Sequence, residues 1–315
     1  MCNSPLTIPT IHDRHCHFGW DNRITPVHRA HSGQQLLLQC RDAANGYFTA
    51  ESTAHDVLHL PAETANPVTG PIWIEDASPG DILAIHLEEF HPSGFGWSAN
   101  IPGFGLLSED FAEPALQLWH YDSSLNPVAM GDWARVPLKP FAGTLGVAPA
   151  APGKHSIIPP RHVGGNLDIR DLGAGTTLYL PVEVEGALFS IGDTHAAQGD
   201  GEICGTAIES AMDVVLTLEL IKQTPLRTPR FSTSGPVTRH LDVQGYEAFT
   251  GIENNLMTAC QSAVRHCIDW LCQTQHMPAE TAYMLCSVCG DLRISEVVDA
   301  PNWVVSFYFP KVVLS

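Results

Sequence analysis

The chain has 315 residues, of which 16% are charged, and a net charge of −18 from 34 acids against 16 lysines and arginines. With no basic cluster, binding to nucleic acid or to anionic lipid through counterion release is excluded as a function class. An apolar fraction of 44% with 26 glycines and 24 prolines points to a turn-rich, β-dominated globule large enough for one or two domains.

In chain order, the first residues lack a basic segment followed by an apolar run, so no signal peptide is expected. No stretch reaches the ~18 apolar residues of a membrane helix. The nine cysteines, odd in number and scattered among apolar neighbours, read as reduced thiols of a cytoplasmic protein. "IHDRHCHFGWDN" places His12, His15 and His17 within six positions, a histidine density that makes His17 a candidate metal ligand beside the plainer reading of surface histidines.

From Thr25 to Glu89 the pattern is strand-like. "QQLLLQCRDA" is an apolar run ending at Asp42. "GPIWIEDASPGDILAIHLEEF" reads as a hairpin, with Ile72 and Ile74 on one arm, a Ser78–Asp81 turn, and Leu83, Ile85 and Leu87 on the other. Residues 90–165, rich in Pro, Gly and aromatics, predict short strands and ordered loops. Alternation returns in Leu167–Arg170, in Leu178–Val184 and from Met212 to Ile221, giving a series of antiparallel strands.

The period then changes. Leu256, Cys260, Val264, Cys267, Ile268 and Leu271 recur at helical spacing. A second helix is expected between Pro278 and Gly290, and "VVSFYF" closes as a strand. Cys286 and Cys289 have C-x-x-C spacing without a second pair, which favours core cysteines at a helix end. The fold class expected is therefore mainly β, in antiparallel sandwich- or barrel-like sheets over residues 1–224, with a smaller C-terminal α+β portion over residues 225–315 packed on it.

The densest chemistry lies in "IGDTHAAQGDGEICGTAIE". Asp193 and His195 are two apart on a strand and leave the same face, a mixed O and N donor pair suited to a divalent cation. Asp200-Gly201 is a common turn pair, while Glu202, read as opening the next strand, is placed to return to the same point. A solvated acidic hairpin tip stays open as the alternative. In "HVGGNLDI" two glycines precede Asn166 and Asp168, as where a backbone closely approaches a ligand, beside the plainer reading of a glycine-kinked strand with a solvated Asp168. Cys204 follows Glu202 by two positions with no activating base in sight. No G-x-S-x-G elbow, phosphate loop or dinucleotide fingerprint occurs.

Taken together, "HFGWDNRITPV", "NPVTGPIWIEDASPGDIL", "GGNLDIRDL", "GDTHAAQGDGEICGTAIE" and "AYMLCSVCGDLRISEVVD" resemble the acetamidase/formamidase family from about His17 to Pro310. The segment "FHPSGFGWSANIPGFGLL" and the histidines at 12 and 15 depart from the family pattern. The resemblance implies hydrolysis of a short linear amide such as formamide or acetamide, a divalent metal ion, and a homo-oligomer of two or more copies. It maps site residues onto Asp193, His195, Gln198, Asp200, Gly201 and Glu202, with Asn166, Asp168 and Asp42 outside the signature. On that basis Asp193 and His195, joined by Asp42 and His17, are expected to hold Zn²⁺, with Ca²⁺ or another divalent ion as alternatives. Glu202 is expected to move protons, Asn166 or the Gly164-Gly165 backbone to bind the oxyanion, Asp168 to assist, and Trp20 and Trp97 to wall the pocket. Two other readings stay open: a cysteine-dependent amidase using Cys204, and a metal-stabilised β-sandwich that binds a small ligand without chemistry.

Overall fold

Alternating apolar residues build most of the molecule. The structure, a computed structural model, describes residues 8–122 and 127–314; the leading residues 1–7, part of the stretch read above for a signal peptide, lie outside the described residues. In Gln34–Cys40, Met212–Ile221 and Ile82–Pro92 the inward-facing leucines, isoleucines and valines are buried. These three strands pair antiparallel, with Leu216 opposite Leu36 on one side and Leu87 on the other. Thr10–Ile11 extends this sheet at one edge, and Thr177–Pro181 followed by Arg230–Ser232 extends it at the other. The first sheet thus draws on chain beyond residue 225.

A second six-stranded sheet runs Gly164–Asn166, Phe141–Gly146, Phe189–His195, Val68–Ile74 and Cys16–His17, with His28–Ala30 parallel beside Val68–Ile74. Ile72, Leu145, Phe189 and Ile191 of this sheet share one core with Leu38, Leu87, Leu180 and Leu216 of the first. The result is a β-sandwich, mainly antiparallel as expected.

Two local expectations change. Val68–Ile74 and Ile82–Pro92 are not arms of one hairpin, because they lie in different sheets. The turn itself is present, with the Asp81 N–H 3.1 Å from the Ser78 carbonyl, but it carries the chain across the core. An arch between two facing sheets buries the same alternate residues as a hairpin does, so the pattern alone does not separate them. The strand read through Leu167–Arg170 ends at Asn166. Asp168 takes φ +48°, which breaks the extended run.

The C-terminal portion is α+β. Tyr246–Glu253, Trp303–Pro310 and Asp291–Glu296 form an antiparallel sheet, and helices Leu256–Gln275 and Ala279–Cys289 flank it. Asn255 caps the first helix by accepting the Thr258 N–H at 3.1 Å. Pro278 and Gly290 bound the second, as their residue types predict. Cys286 and Cys289 are buried free thiols on that helix. Among the described residues no helix is long and apolar enough to cross a membrane.

Between sandwich and helices lies the segment from Ala196 to Ile208. Ala196, Ala197, Ile203, Cys204 and Ile208 share a core with the two helices. Ser287 Oγ donates to the Thr206 carbonyl at 2.8 Å and accepts the Cys204 N–H at 3.1 Å. Gly199 touches the other side so closely that a Cβ there would lie 1.8 Å from the Gly290 carbonyl oxygen. The signature loop is therefore a buried joint, which overturns the reading of a solvated hairpin tip.

Candidate active site

Strand Phe189–His195 delivers the first two groups. It pairs with Phe141–Gly146, placing His195 opposite Phe141 and Thr194 opposite Ala142. Asp193 and His195 leave the same side, and His195 Nε2 lies 3.2 Å from Asp193 Oδ1. Both side chains are buried. The edge of the His195 ring meets Phe141 at 5.0 Å between centroids, which fixes the ring plane.

Asn166 and Asp168 arrive from the next strand over. The N–H groups of Leu167 and Asp168 both donate to the Gly143 carbonyl, at 2.9 and 3.1 Å. Gly143 has no side chain because none fits. A Cβ there would meet Asp168 Oδ1 at 2.6 Å and His195 Cε1 at 3.0 Å. Asn166 Oδ1 accepts Thr144 Oγ1–H at 2.7 Å and the Asn66 amide at 3.3 Å. Thr144 and Asn66 also hold Asp193 Oδ2, at 3.2 and 3.1 Å.

Glu202 does not open a strand. It sits in a tight turn at φ +43°, with its N–H on the Gly199 carbonyl at 3.2 Å and its own carbonyl accepting Gly205 N–H at 2.8 Å. That turn aims its carboxylate at the cavity. Asp168, Asp193 and Glu202 thus all carry positive φ, at 48°, 53° and 43°. Such backbone is uncommon outside glycine and persists where the surroundings impose it.

Glu209 completes the group and is not singled out by the sequence, where it is a lone acid ending an otherwise apolar run. Its backbone bridges Trp97 on one side and His195 on the other. Oε1 accepts the Ala207 N–H at 2.9 Å. Oε2 lies 3.1 Å from His195 Nε2 yet has no aligned hydrogen bond among the described residues. The signal that could have found it is its place as the last residue of the matched signature stretch.

Gln198 links the parts. Its Nε2 donates to the Asp168 backbone carbonyl at 2.7 Å, and its Oε1 stands 2.9 Å from His195 Nδ1.

The electrostatics follow from burial. Desolvation pushes Asp168 up to about 8, with Asp193 adding to the shift and His195 opposing it. Glu202 and Glu209 are raised for the same first reason. For His195 burial acts downward, but the Glu209 and Asp193 carboxylates outweigh it and hold the imidazole well above its ordinary range. Two donor groups result, Asp168 with Asp193 and His195, and His195 with Glu202 and Glu209. In each, the ligand atoms lie within 4.8 Å of one another. A divalent ion fits this set: the donors are carboxylate O and imidazole N, and Asp168 Oδ1 is buried without a hydrogen-bond partner among the described residues.

These groups open on a cavity of about 150 Å³, also lined by Trp97, Ile101, Phe104, Ile158 and Leu60. Trp97 walls it, as expected. Trp20 does not; it packs with Val68 and Ile157 in a separate small cluster. The Gly164 N–H is spent on the Arg161 carbonyl at 3.0 Å. Asp42 Oδ1 caps its own turn by accepting the N–H groups of Ala44 and Gly46 at 2.8 and 3.2 Å. His17 engages the Gly19 carbonyl through Nδ1 at 2.8 Å and Ser190 Oγ through Nε2 at 2.9 Å. Cys204 is buried, and desolvation raises its thiol, the reverse of what a nucleophile needs. Asp200 ion-pairs with Arg170 at 3.2 Å and belongs to the joint.

Comparison with known proteins identifies the family. The acetamidase/formamidase family profile matches residues 6–157 and 150–315. A formamidase of Methylophilus methylotrophus is 25% identical over 96% of this chain and 90% of its own length. Among solved structures, an acetamidase from Yersinia enterocolitica is 30% identical with a TM-score of 0.67, covering 98% of this chain and 93% of the other. A gamma lactamase from Delftia acidovorans superposes with a TM-score of 0.89 over 96% of this chain and 90% of that one; at 24% identity it speaks for the fold alone. The chain belongs to the acetamidase/formamidase family and is an amidohydrolase.

Proposed function

We propose that the protein hydrolyses a short-chain linear amide of the formamide or acetamide type to carboxylate and ammonia, with a divalent metal ion in the buried cluster. The observation that carries this reading is the convergence of Asp168, Asp193, Glu202 and Glu209 on one imidazole beside the cavity. The cavity is smaller than the ~300–1,000 Å³ of drug-sized pockets, which favours substrates of a few heavy atoms.

Asp168, Asp193 and His195 would hold the ion. Asp42 and His17 are left out of the set because neither lies in a donor group: Asp42 Oδ1 caps its own turn, and both ring nitrogens of His17 are engaged elsewhere. When bound, such an ion polarises a carbonyl oxygen and makes a nearby water a stronger acid. The remaining steps belong to side chains. Asn166 is held through its Oδ1 by Thr144 and Asn66, which leaves Nδ2 to donate to the oxygen as it gains charge. One aligned donor of this kind contributes about 3 kcal/mol to the transition state. Glu202 accepts the proton of the attacking water and returns it to the departing nitrogen, which needs an acid because amide nitrogen leaves poorly.

The test pairs metal analysis with ammonia release from formamide, acetamide, propionamide, butyramide and a γ-lactam, with and without chelator. A near-stoichiometric divalent ion is expected, with activity on the shortest amides that chelation abolishes. Glu202→Gln should keep the ion and lose roughly 10²–10⁴-fold in kcat. Undiminished turnover in that variant removes Glu202 from the proton role, and chelator-insensitive hydrolysis removes the metal.

A further inference from the structure

Gln198 does not itself line the cavity, and its two side-chain bonds go to a backbone carbonyl and to an imidazole; these determine which way His195 faces. A backbone carbonyl can only accept, so the group that Gln198 turns toward the Asp168 carbonyl at 2.7 Å must be its NH₂. The amide orientation is thereby fixed, and the atom 2.9 Å from His195 Nδ1 is the Gln198 oxygen. An oxygen there accepts, so Nδ1 carries a proton. Nε2 is then the nitrogen left for Asp193 Oδ1 at 3.2 Å and Glu209 Oε2 at 3.1 Å. A neutral ring in this tautomer would aim a lone pair at two carboxylates. That arrangement requires a proton or a cation between them, the proton carried by the ring or by a carboxyl group.

We propose that Gln198 is a positioning residue that sets the His195 tautomer, so that Nε2 is the metal-binding nitrogen. The inference rests on the metal reading above. Gln198 is anchored on the backbone of Asp168, whose side chain belongs to the same donor set, so one amide holds two ligands in relative register. The edge contact with Phe141 fixes the ring plane but cannot choose between the nitrogens. Outer partners that orient a ligating imidazole typically account for 10–100-fold in metal affinity.

The experiment compares the parent protein, Gln198→Leu and Gln198→Glu for Zn²⁺ affinity by chelator competition and for the visible absorption of the Co²⁺-loaded form. Metal-free unfolding midpoints are recorded alongside. Gln198→Leu, which offers Nδ1 no acceptor, should bind Zn²⁺ roughly 10–100-fold more weakly and shift the Co²⁺ bands. Gln198→Glu, which restores an acceptor for Nδ1 but loses the donor to the Asp168 carbonyl, should bind Zn²⁺ measurably more tightly than Gln198→Leu and bring the Co²⁺ bands back toward the parent spectrum. Zn²⁺ binding in Gln198→Leu as tight as in the parent overturns the proposal. So does a Gln198→Glu variant as weak as Gln198→Leu with an intact metal-free midpoint, because the residue would then serve packing alone. If Gln198→Leu fails to fold, the Gln198→Glu affinity decides: Zn²⁺ binding within about 10-fold of the parent supports the proposal, and a loss beyond about 100-fold overturns it. A parent protein that takes up no Zn²⁺ or Co²⁺ instead overturns the metal reading, and the tautomer assignment to a metal goes with it.

Discussion

At the scale of single residues, the site is defined as much by what is missing as by what is present. Gly143 leaves a gap into which Asp168 Oδ1 and the His195 ring both project. Gly143→Ala is expected to displace one or both, lowering kcat/KM by a factor of about ten or more while costing about 1–3 kcal/mol of stability. Turnover on formamide beside a denaturant melt checks it; a fully active variant means the neighbours can yield. Asp193, His195, Glu202, Asn166 and Asp168 are legible in the sequence because two-residue spacing and glycine-rich context are visible in one dimension. Glu209 and the role of Gln198 are not. Both depend on which backbone group stands opposite, and that is settled only when distant strands meet.

Elements are legible through periodicity, and their pairing is not. The alternation in Val68–Ile74 and Ile82–Pro92 identifies strands and buried faces. It does not tell a hairpin from an arch, since both bury the same residues and share the same turn. The short strand Cys16–His17 makes a prediction at this scale. His17 is tied to Ser190, two strands over in the same sheet, and burial, aided by Lys154 and opposed by the Gly19 carbonyl, lowers it to about 4. Between that value and the unfolded 6.5, the unfolded chain binds more protons, so stability rises with pH. The contribution is complete above pH 6.5 and lost as pH falls toward 4, about 3 kcal/mol at most. His240, also lowered to about 4 by burial, adds to the same slope. His17→Gln should flatten the rise in unfolding free energy measured between about pH 4.5 and 7. An unchanged slope would assign it all to other groups.

On the scale of the whole molecule, the sandwich and the C-terminal portion are joined through charge as well as apolar contact. Arg170 forms a two-pronged pair with Asp291, both buried, and Asp291 also holds Arg293 at 3.0 Å. The Leu292 N–H binds the Asp200 carbonyl at 2.9 Å, so the signature loop docks on the same strand. Removing Asp291 takes away the buried partner of Arg170 and leaves the half-exposed Asp200 at 3.2 Å beside it. Asp291→Ala is expected to cost about 3–5 kcal/mol, whereas Arg170→Met with Asp291→Leu should recover most of that loss. Equilibrium unfolding of both variants and of each single change measures the coupling. A double variant no better than Asp291→Ala would mean that the pair adds net stability beyond its own desolvation.

The three carboxylates held at positive φ have one more consequence. Backbone of this kind costs of order 1–3 kcal/mol at each position, and the crowding of like charges adds to it. Under the proposed function, both costs keep the three carboxylates facing a cavity of about 150 Å³. On that reading, stability and turnover are opposed at positions 168, 193 and 202. A search of this protein for heat resistance alone would drift toward glycine, asparagine or glutamine there, and would arrive at a sturdier molecule that no longer releases ammonia.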